Sequence, residues 1–294
     1  TTNARGLMHG DPLAVPASPS LSAVRGMIAA ADAVLAVGTE FGQTDYDMYA
    51  RGGVPDLSAM IRVDVCGDQL ARHAAAVSLR GEAGAVLAAL LPGIAPRRAD
   101  GAARAAAARD GARAEIAALH PALPHRVAML GAIRDAVPAA IVVGDSTQPV
   151  YAGNLLYDHD RPGGWFNAAT GYGALGFAPG AAVGAALGAP GVPVICLIGD
   201  GGLQFSPGEL RTAVDEGLAI TFVVWNNAGF REIAEAMRGA GAAVIGCDPS
   251  PLRMEPFAAA CDLPFRSVPD DPAALRAALA EPASGPRLIE VRAV

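Results

Sequence analysis

The sequence predicts an α/β protein with doubly wound parallel sheets in two Rossmann-like units, the first of them truncated. Three observations predict it. Short apolar runs closed by Gly recur at Val34–Gly38 (VLAVG), Ala140–Gly144 (AIVVG) and Val194–Gly199 (VICLIG). Such runs read as strands buried on both faces, as in parallel sheets. Helix-like stretches separate them, and that alternation argues for helices on both sheet faces. The 294 residues are 52% hydrophobic and 17% charged, which suits roughly two globular domains and excludes disorder for most of the chain.

The elements follow in order. Val34–Gly38 and Met60–Asp64 (MIRVD) are two strands, and Glu82–Leu91 is a helix stopped by Pro92-Gly93. Ile94–Arg113 is rich in Pro, Arg and Ala with little apolar patterning, so 94–118 reads as a linker between units at 1–93 and 119–294. Beyond it, Val127–Val137 is a helix, Ala140–Gly144 a strand and Phe177–Leu187 a small-residue helix. Val194–Gly199 is a strand, Pro207–Glu216 a helix and Ile220–Trp225 (ITFVVW) a strand. Glu255–Cys261 and Pro272–Leu279 are helices, and Arg287–Val291 is the last strand. Ser206-Pro207-Gly208-Glu209 has the Ser-x-x-Glu spacing of a capping box, with Pro at the first helical position.

Charge and composition exclude several classes. The formal net charge is −7, and all 22 basic residues are Arg. Arg97, Arg98, Arg104, Arg109 and Arg113 cluster among Ala and Asp, which reads as a solvated linker and not as a nucleic-acid patch. Residues 162–199 carry no charge, but Pro179, Pro190, Pro193 and many Gly interrupt them. A bilayer helix needs about 20 mostly apolar residues in sequence, so no membrane partner is expected. Cys66, Cys196, Cys247 and Cys261 form no Cys-x-x-Cys pair and read as buried, reduced thiols of a cytoplasmic protein. His120 and His125 are five apart and do not share a helix face. The chain opens Thr1-Thr2 without Met, which reads as a fragment or processed product.

The chemistry concentrates between Gly199-Asp200-Gly201-Gly202 and Asn226-Asn227. Each group directly follows an apolar strand, and ligands of doubly wound sheets bind beyond the carboxyl ends of strands. Gly201 and Gly202 would let backbone N–H groups approach an anion closely. One carboxylate, one amide oxygen and a backbone carbonyl make a hard oxygen site suited to Mg²⁺ or Ca²⁺ bridging to phosphate. A dinucleotide fingerprint needs Gly-x-Gly-x-x-Gly opening a helix, and its third Gly is missing here.

Twenty-four residues separate Gly201 from Asn226, and this pairing resembles the thiamin-diphosphate motif. Val183-Gly184, Pro190, Ile195 and Leu197 match the approach to it. Residues 119–294 resemble the diphosphate-binding domain of the acetolactate synthase/2-oxoacid decarboxylase superfamily. Residues 1–93 resemble the carboxyl-terminal part of that superfamily's central domain.

The resemblance implies thiamin diphosphate and Mg²⁺ as cofactors. Asp200 and Asn227 would hold the metal by side chain and Gly229 by its carbonyl. Gly201 and Gly202 would lie under the diphosphate, with Ser146, Thr147 and Gln148 as further donors. The Gly173 carbonyl would accept from the pyrimidine amino group, and Leu175 would wedge between the cofactor rings. The implied reaction is decarboxylation of a 2-oxo acid, with release as aldehyde or transfer to an acceptor, in a homodimer or homotetramer. No catalytic residue is expected in this chain, because the family's Glu lies in a pyrimidine domain that this chain lacks.

Departures narrow the activity. Pyruvate-type decarboxylases carry Glu six residues after the second Asn, where this chain has Ile233 preceded by Glu232. The Phe-Asp-Asp-Arg run of acetolactate synthases is missing near Gly38–Asp47, which argues against that enzyme and against bound FAD. Glu40, Asp45 and Asp47 read as a solvated loop or as a feature suited to a cationic, for example guanidino, 2-oxo acid. Phe205, Phe230 and Arg231 are substrate-pocket candidates by position. A non-catalytic nucleotide-binding module and a catalytically degenerate paralogue remain as alternatives.

Overall fold

A computed structural model describes residues 1–47, 53–54, 56, 58–95 and 100–293. They form two compact units, one chiefly of residues 11–118 and the other of 2–10 with 119–294.

The first unit contains α1 (Ser22–Ala29), β1 (Val34–Val37), α2 (Gln43–Tyr46), β2 (Met60–Asp64), α3 (Gly67–Ala71), β3 (Val77–Arg80), α4 (Ala83–Leu90) and α5 (Gly101–Leu119). Its sheet has the order β1-β2-β3 and is wholly parallel. Sequence patterning finds two of these strands. The third, VSLR, is mostly exposed and so lacks an apolar run. Glu82 caps α4, its carboxylate accepting from the Gly84 and Ala85 N–H groups at 2.9 and 2.8 Å.

Much of the expected linker is helix. In α5, Ala105, Ala108, Ala112 and Ile116 are buried in a narrow stripe. Alanine fills both faces of this helix, so its periodicity is nearly invisible in sequence. The Glu115 carboxylate accepts from Ser22 Oγ at 3.1 Å, and Arg109 donates to the Pro12 and Ala14 carbonyls. Arg104 and Arg113 pair along the helix with Asp100 and Asp110. Arg97 and Arg98 lie outside the described residues.

The second unit contains α6 (Leu123–Ala136), β4 (Ile141–Gly144), α7 (Gln148–Leu155), β5 (Trp165–Asn167), α8 (Phe177–Gly188), β6 (Val194–Gly199), α9 (Asp200–Leu203), α10 (Gly208–Asp215), β7 (Ile220–Asn226), α11 (Arg231–Gly239), α12 (Met254–Ala260), β8 (Phe265–Pro269), α13 (Pro272–Ala280) and β9 (Arg287–Arg292). The parallel sheet runs β5-β4-β6-β7-β9-β8. Side chains alternate between its faces. Val143, Cys196, Ile198, Phe222 and Val224 share a core with α8, α10 and α12. Val142, Ile195, Leu197, Val223 and Ile289 share the other with α6 and α13. The doubly wound arrangement follows directly.

Two local expectations fail. Ser206 does not close a capping box: α10 starts at Gly208, and Ser206 Oγ donates instead to the Gly176 carbonyl at 2.7 Å. Cys66 is exposed, whereas Cys196, Cys247 and Cys261 are buried, and all four are unpaired. Among the described residues no helix is long and apolar enough to cross a membrane.

Candidate functional site

The chain leaves β4 to build β5 on one side, then returns to place β6 on the other. That reversal opens a crevice at the carboxyl ends of β4 and β6, the place where open α/β sheets bind ligands. The loops after β4, β6 and β7 all end there. A cavity of about 230 Å³ lies among them. Its walls include all ten residues singled out from sequence: Ser146, Thr147, Gln148, Gly173, Leu175, Asp200, Gly201, Gly202, Asn227 and Gly229. Phe230 and Arg231 also line it. Phe205 does not; it is 63% exposed.

Asp200 is buried at the end of β6. Burial pushes its carboxyl above the usual range, against the opposing pull of the Asn227 and Gly229 backbone N–H groups. Those N–H groups donate to Asp200 Oδ1 and Oδ2 at 3.4 and 3.1 Å. Asp200 thus ties the end of β6 to the turn after β7.

The two adjacent asparagines do different work. Asn226 accepts from the Ala228 N–H at 3.1 Å and donates to Glu290 Oε1 at 2.7 Å. It shapes the turn. Asn227 points into the cavity. Its Nδ2 donates to Gln148 Oε1 at 3.2 Å, while its Oδ1 lies 3.3 Å from Asp200 Oδ1 and 2.8 Å from the Gly229 carbonyl oxygen. In this orientation the amide oxygen faces two other oxygens.

Turned over, the Asn227 amide would donate to Asp200 Oδ1 and the Gly229 carbonyl at 3.3 and 2.8 Å, while its oxygen would meet Gln148 Oε1 at 3.2 Å. Gln148 cannot rotate in compensation, because its Oε1 accepts from Trp225 Nε1, an obligatory donor, at 3.2 Å. A hard cation between the oxygens satisfies all of them at once. Among the described residues no three His, Cys, Asp or Glu side chains gather as a metal cluster. A site of one carboxylate, one amide and one carbonyl is a different kind of donor set.

The remaining walls are backbone and glycine. A Cβ on Gly201 would lie 2.5 Å from the Phe230 ring, and one on Gly202 would lie 2.8 Å from Asp145 Oδ1. Gly229 has φ 149°, and a Cβ there would meet the Cys247 carbonyl at 2.6 Å. The Gly173 carbonyl accepts from Ser146 Oγ at 2.9 Å and retains a second lone pair.

Asp145, just before the Ser146, Thr147 and Gln148 singled out from sequence, organises their loop. Fully buried, Asp145 accepts from the N–H groups of Ser146, Gly176 and Ala178 at 2.9, 3.3 and 3.0 Å. It joins the β4 loop to the start of α8. Burial raises its carboxyl above the usual range despite these donors. Tyr151 and Glu232 also line the cavity and were not placed there from sequence. Their signal was weak: each stands alone on a helix whose cavity-facing side only the fold defines.

Residues 145–291 match the protein-family model described as thiamine pyrophosphate enzyme, C-terminal TPP binding domain. The chain is 39% identical over 250 residues to a protein of Pseudomonas aeruginosa named "Probable 2-ketoarginine decarboxylase", covering 83% of this chain and 44% of that one. It is 36% identical over 88 residues to the acetolactate synthase large subunit of Haemophilus influenzae, covering 30% and 15%. The acetolactate synthase isozyme 3 large subunit of Escherichia coli shows the same identity over 88 residues, again 30% and 15%. The chain spans less than half the length of these curated relatives.

Proposed function

The chain belongs to the thiamine pyrophosphate enzymes through its C-terminal cofactor-binding domain, and from that premise we propose that it serves the decarboxylation of a cationic, guanidino 2-oxo acid. The observation that carries the metal and cofactor assignment is the meeting of the Asp200 carboxylate, the Asn227 amide and the Gly229 backbone on one cavity wall at the carboxyl ends of β6 and β7. A divalent cation such as Mg²⁺ fits these oxygens. The glycine-lined floor at Gly201 and Gly202, with Ser146, Thr147 and Gln148 opposite, suits a diphosphate. The relative named for 2-ketoarginine, matched over most of this chain, supports the choice of substrate.

Thiamin diphosphate, when bound, supplies the carbon nucleophile and electron sink for loss of carbon dioxide from a 2-oxo acid. The chain's own residues anchor and orient it. Asp200 and Asn227 would hold the metal, and Gly201 and Gly202 would lie under the diphosphate. The Gly173 carbonyl would accept from the pyrimidine amino group, and Leu175 would supply an apolar wedge between the rings. Asp145 keeps these loops in place by holding three backbone N–H groups. The product is either released as aldehyde or passed to an acceptor.

We assign residues 119–294 to the diphosphate-binding domain and 1–93 to the later part of a central domain. A homodimer or homotetramer is the proposed assembly; exposed Tyr172 and Phe177, beside the cavity lip at Gly173, support it. Four unpaired cysteines fit a reducing compartment, the cytoplasm.

Calorimetric titration of thiamin diphosphate with Mg²⁺ into the protein expressed from its full reading frame tests the reading. Binding should need both components, and Asp200→Ala should weaken it by about a hundredfold or more, as removing a metal's charged ligand does. Carbon dioxide release from 5-guanidino-2-oxopentanoate should fall with it. Wild-type protein that binds no thiamin diphosphate would sink the reading.

A further inference from the structure

Glu232 stands in the first turn of α11 and lines the same cavity as Asp200 and Asn227. Nothing in the anchoring of metal or diphosphate uses it. Its Oε1 is buried and accepts no hydrogen bond. The nearest cation, Arg126 Nη1, lies 3.7 Å away, an ion-pair distance too long for a hydrogen bond. The neighbouring Arg231 is committed elsewhere: it donates to the Asn227 and Ala228 carbonyls and to Asp248. The cavity wall therefore carries a partly exposed carboxylate that is ion-paired to Arg126 yet accepts no hydrogen bond at Oε1. A ligand that brings a donor to a carboxylate so poorly satisfied gains accordingly.

We propose that Glu232 is the specificity-determining residue of this site, its carboxylate receiving the guanidinium end of the 2-oxo acid. The assignment rests on the substrate class inferred under Proposed function. Its physical basis is separate: a planar guanidinium offers paired N–H donors that match a carboxylate, and the Glu232 side chain, 30% exposed, stands on the cavity wall. A neutral side chain of similar length would leave that carboxylate as it stands.

The test uses the protein expressed from its full reading frame, with an unreactive thiamin diphosphate analogue and Mg²⁺ bound. Dissociation constants are measured by calorimetry for 5-guanidino-2-oxopentanoate and for neutral 2-oxohexanoate. Wild-type protein should prefer the cationic acid by about ten- to hundredfold, the range of a hydrogen bond to a charged partner. In Glu232→Gln, which keeps the side-chain shape, the preference should shrink to within a few-fold of unity. In Arg126→Met, which removes the competing cation, it should grow; a merely structural Arg126–Glu232 pair predicts no gain. A preference that persists in Glu232→Gln, or is missing in wild-type protein, overturns the assignment. Carbon dioxide release by the protein with authentic cofactor is scored separately. If none is seen while the binding preference depends on Glu232, the reaction fails and the recognition stands. If release occurs without that dependence, the reverse holds.

Discussion

The two parallel sheets end differently, and the contrast separates a closed strand edge from an open one. In the first unit the space beside the strands is filled from within. Arg62 on β2 is 2% exposed, and its guanidinium donates to the carbonyls of Leu70, His73 and Thr39 at 3.2, 3.1 and 3.4 Å. It also lies 4.8 Å from the centre of the Phe41 ring. Asp47 accepts from the Gly53 N–H at 2.8 Å. At least this carboxylate of the stretch after β1 serves local structure. In the second unit the corresponding ends of β6 and β7 bring the Asp200 carboxylate, the Asn227 amide and Gly229 onto the wall of a cavity. Both sheets are parallel, and both have acidic, Gly-containing loops after their strands.

The largest expected effect comes from opening the closed edge. Arg62→Met removes the donor to three carbonyls in a buried setting. The denaturation transition of the first unit should lose about 3 kcal/mol or more, read by chemical unfolding followed by circular dichroism. A loss below about 1 kcal/mol would mean that water replaces the guanidinium and that the edge is not closed by Arg62.

A smaller effect follows from forcing the open edge to move. Gly229→Ala places a methyl 2.6 Å from the Cys247 carbonyl at φ 149°. Strain of this kind costs about 1–3 kcal/mol. The turn should shift, and Mg²⁺-dependent cofactor binding should weaken more than stability does. Equal binding by Gly229→Ala and wild-type protein would show that the carbonyl position is not needed for the metal.

The smallest effect extends the comparison to the amino-terminal end of the six-stranded sheet. There a buried histidine finds both its partners within the chain. Fully buried His159 donates from Nε2 to the Ala140 carbonyl at 3.0 Å, and Nδ1 accepts from the Tyr157 hydroxyl at 3.1 Å. Burial lowers its pKa, Asp160 opposes that shift, and Arg134 and His9 add to it. The unfolded chain, with a His pKa of about 6.5, therefore binds the proton more readily than the folded one. Stability should be complete above that value and decline as pH falls toward the folded pKa. The slope is at most about 1.4 kcal/mol per pH unit for one proton. Unfolding midpoints between pH 8 and pH 5 should show this decline in wild-type protein and less of it in His159→Phe. Identical slopes would assign the acid sensitivity to other groups.

Much of this was legible before the fold was known. The strands β4, β6 and β7 are uninterrupted apolar runs, so the residues that follow them had to emerge at one sheet edge. That brought Asp200–Gly202 and Asn226–Asn227 together in the reading, and the family resemblance added Ser146, Thr147 and Gln148. Less was legible where a strand is short or half exposed, as in Trp165–Asn167 and Phe265–Pro269. The α5 helix hid behind its alanines. The Ser206 hydroxyl had two possible partners at similar cost, its own helix or the Gly176 carbonyl, and only the placement of α8 decided between them.

The sequence by itself determined the α/β class, the parallel sheets and the set of side chains at the strand ends, because burial on both faces demands apolar runs and loops must follow them. Only the tertiary structure decided which of those polar groups are satisfied. Arg62 and Asn226 spend their donors on the protein's own carbonyls and carboxylates, whereas Glu232 keeps an oxygen that accepts no hydrogen bond. Hydrogen bonding is directional and short-ranged. Its outcome depends on register and loop placement between residues far apart in the chain, and residue identity alone does not carry that information.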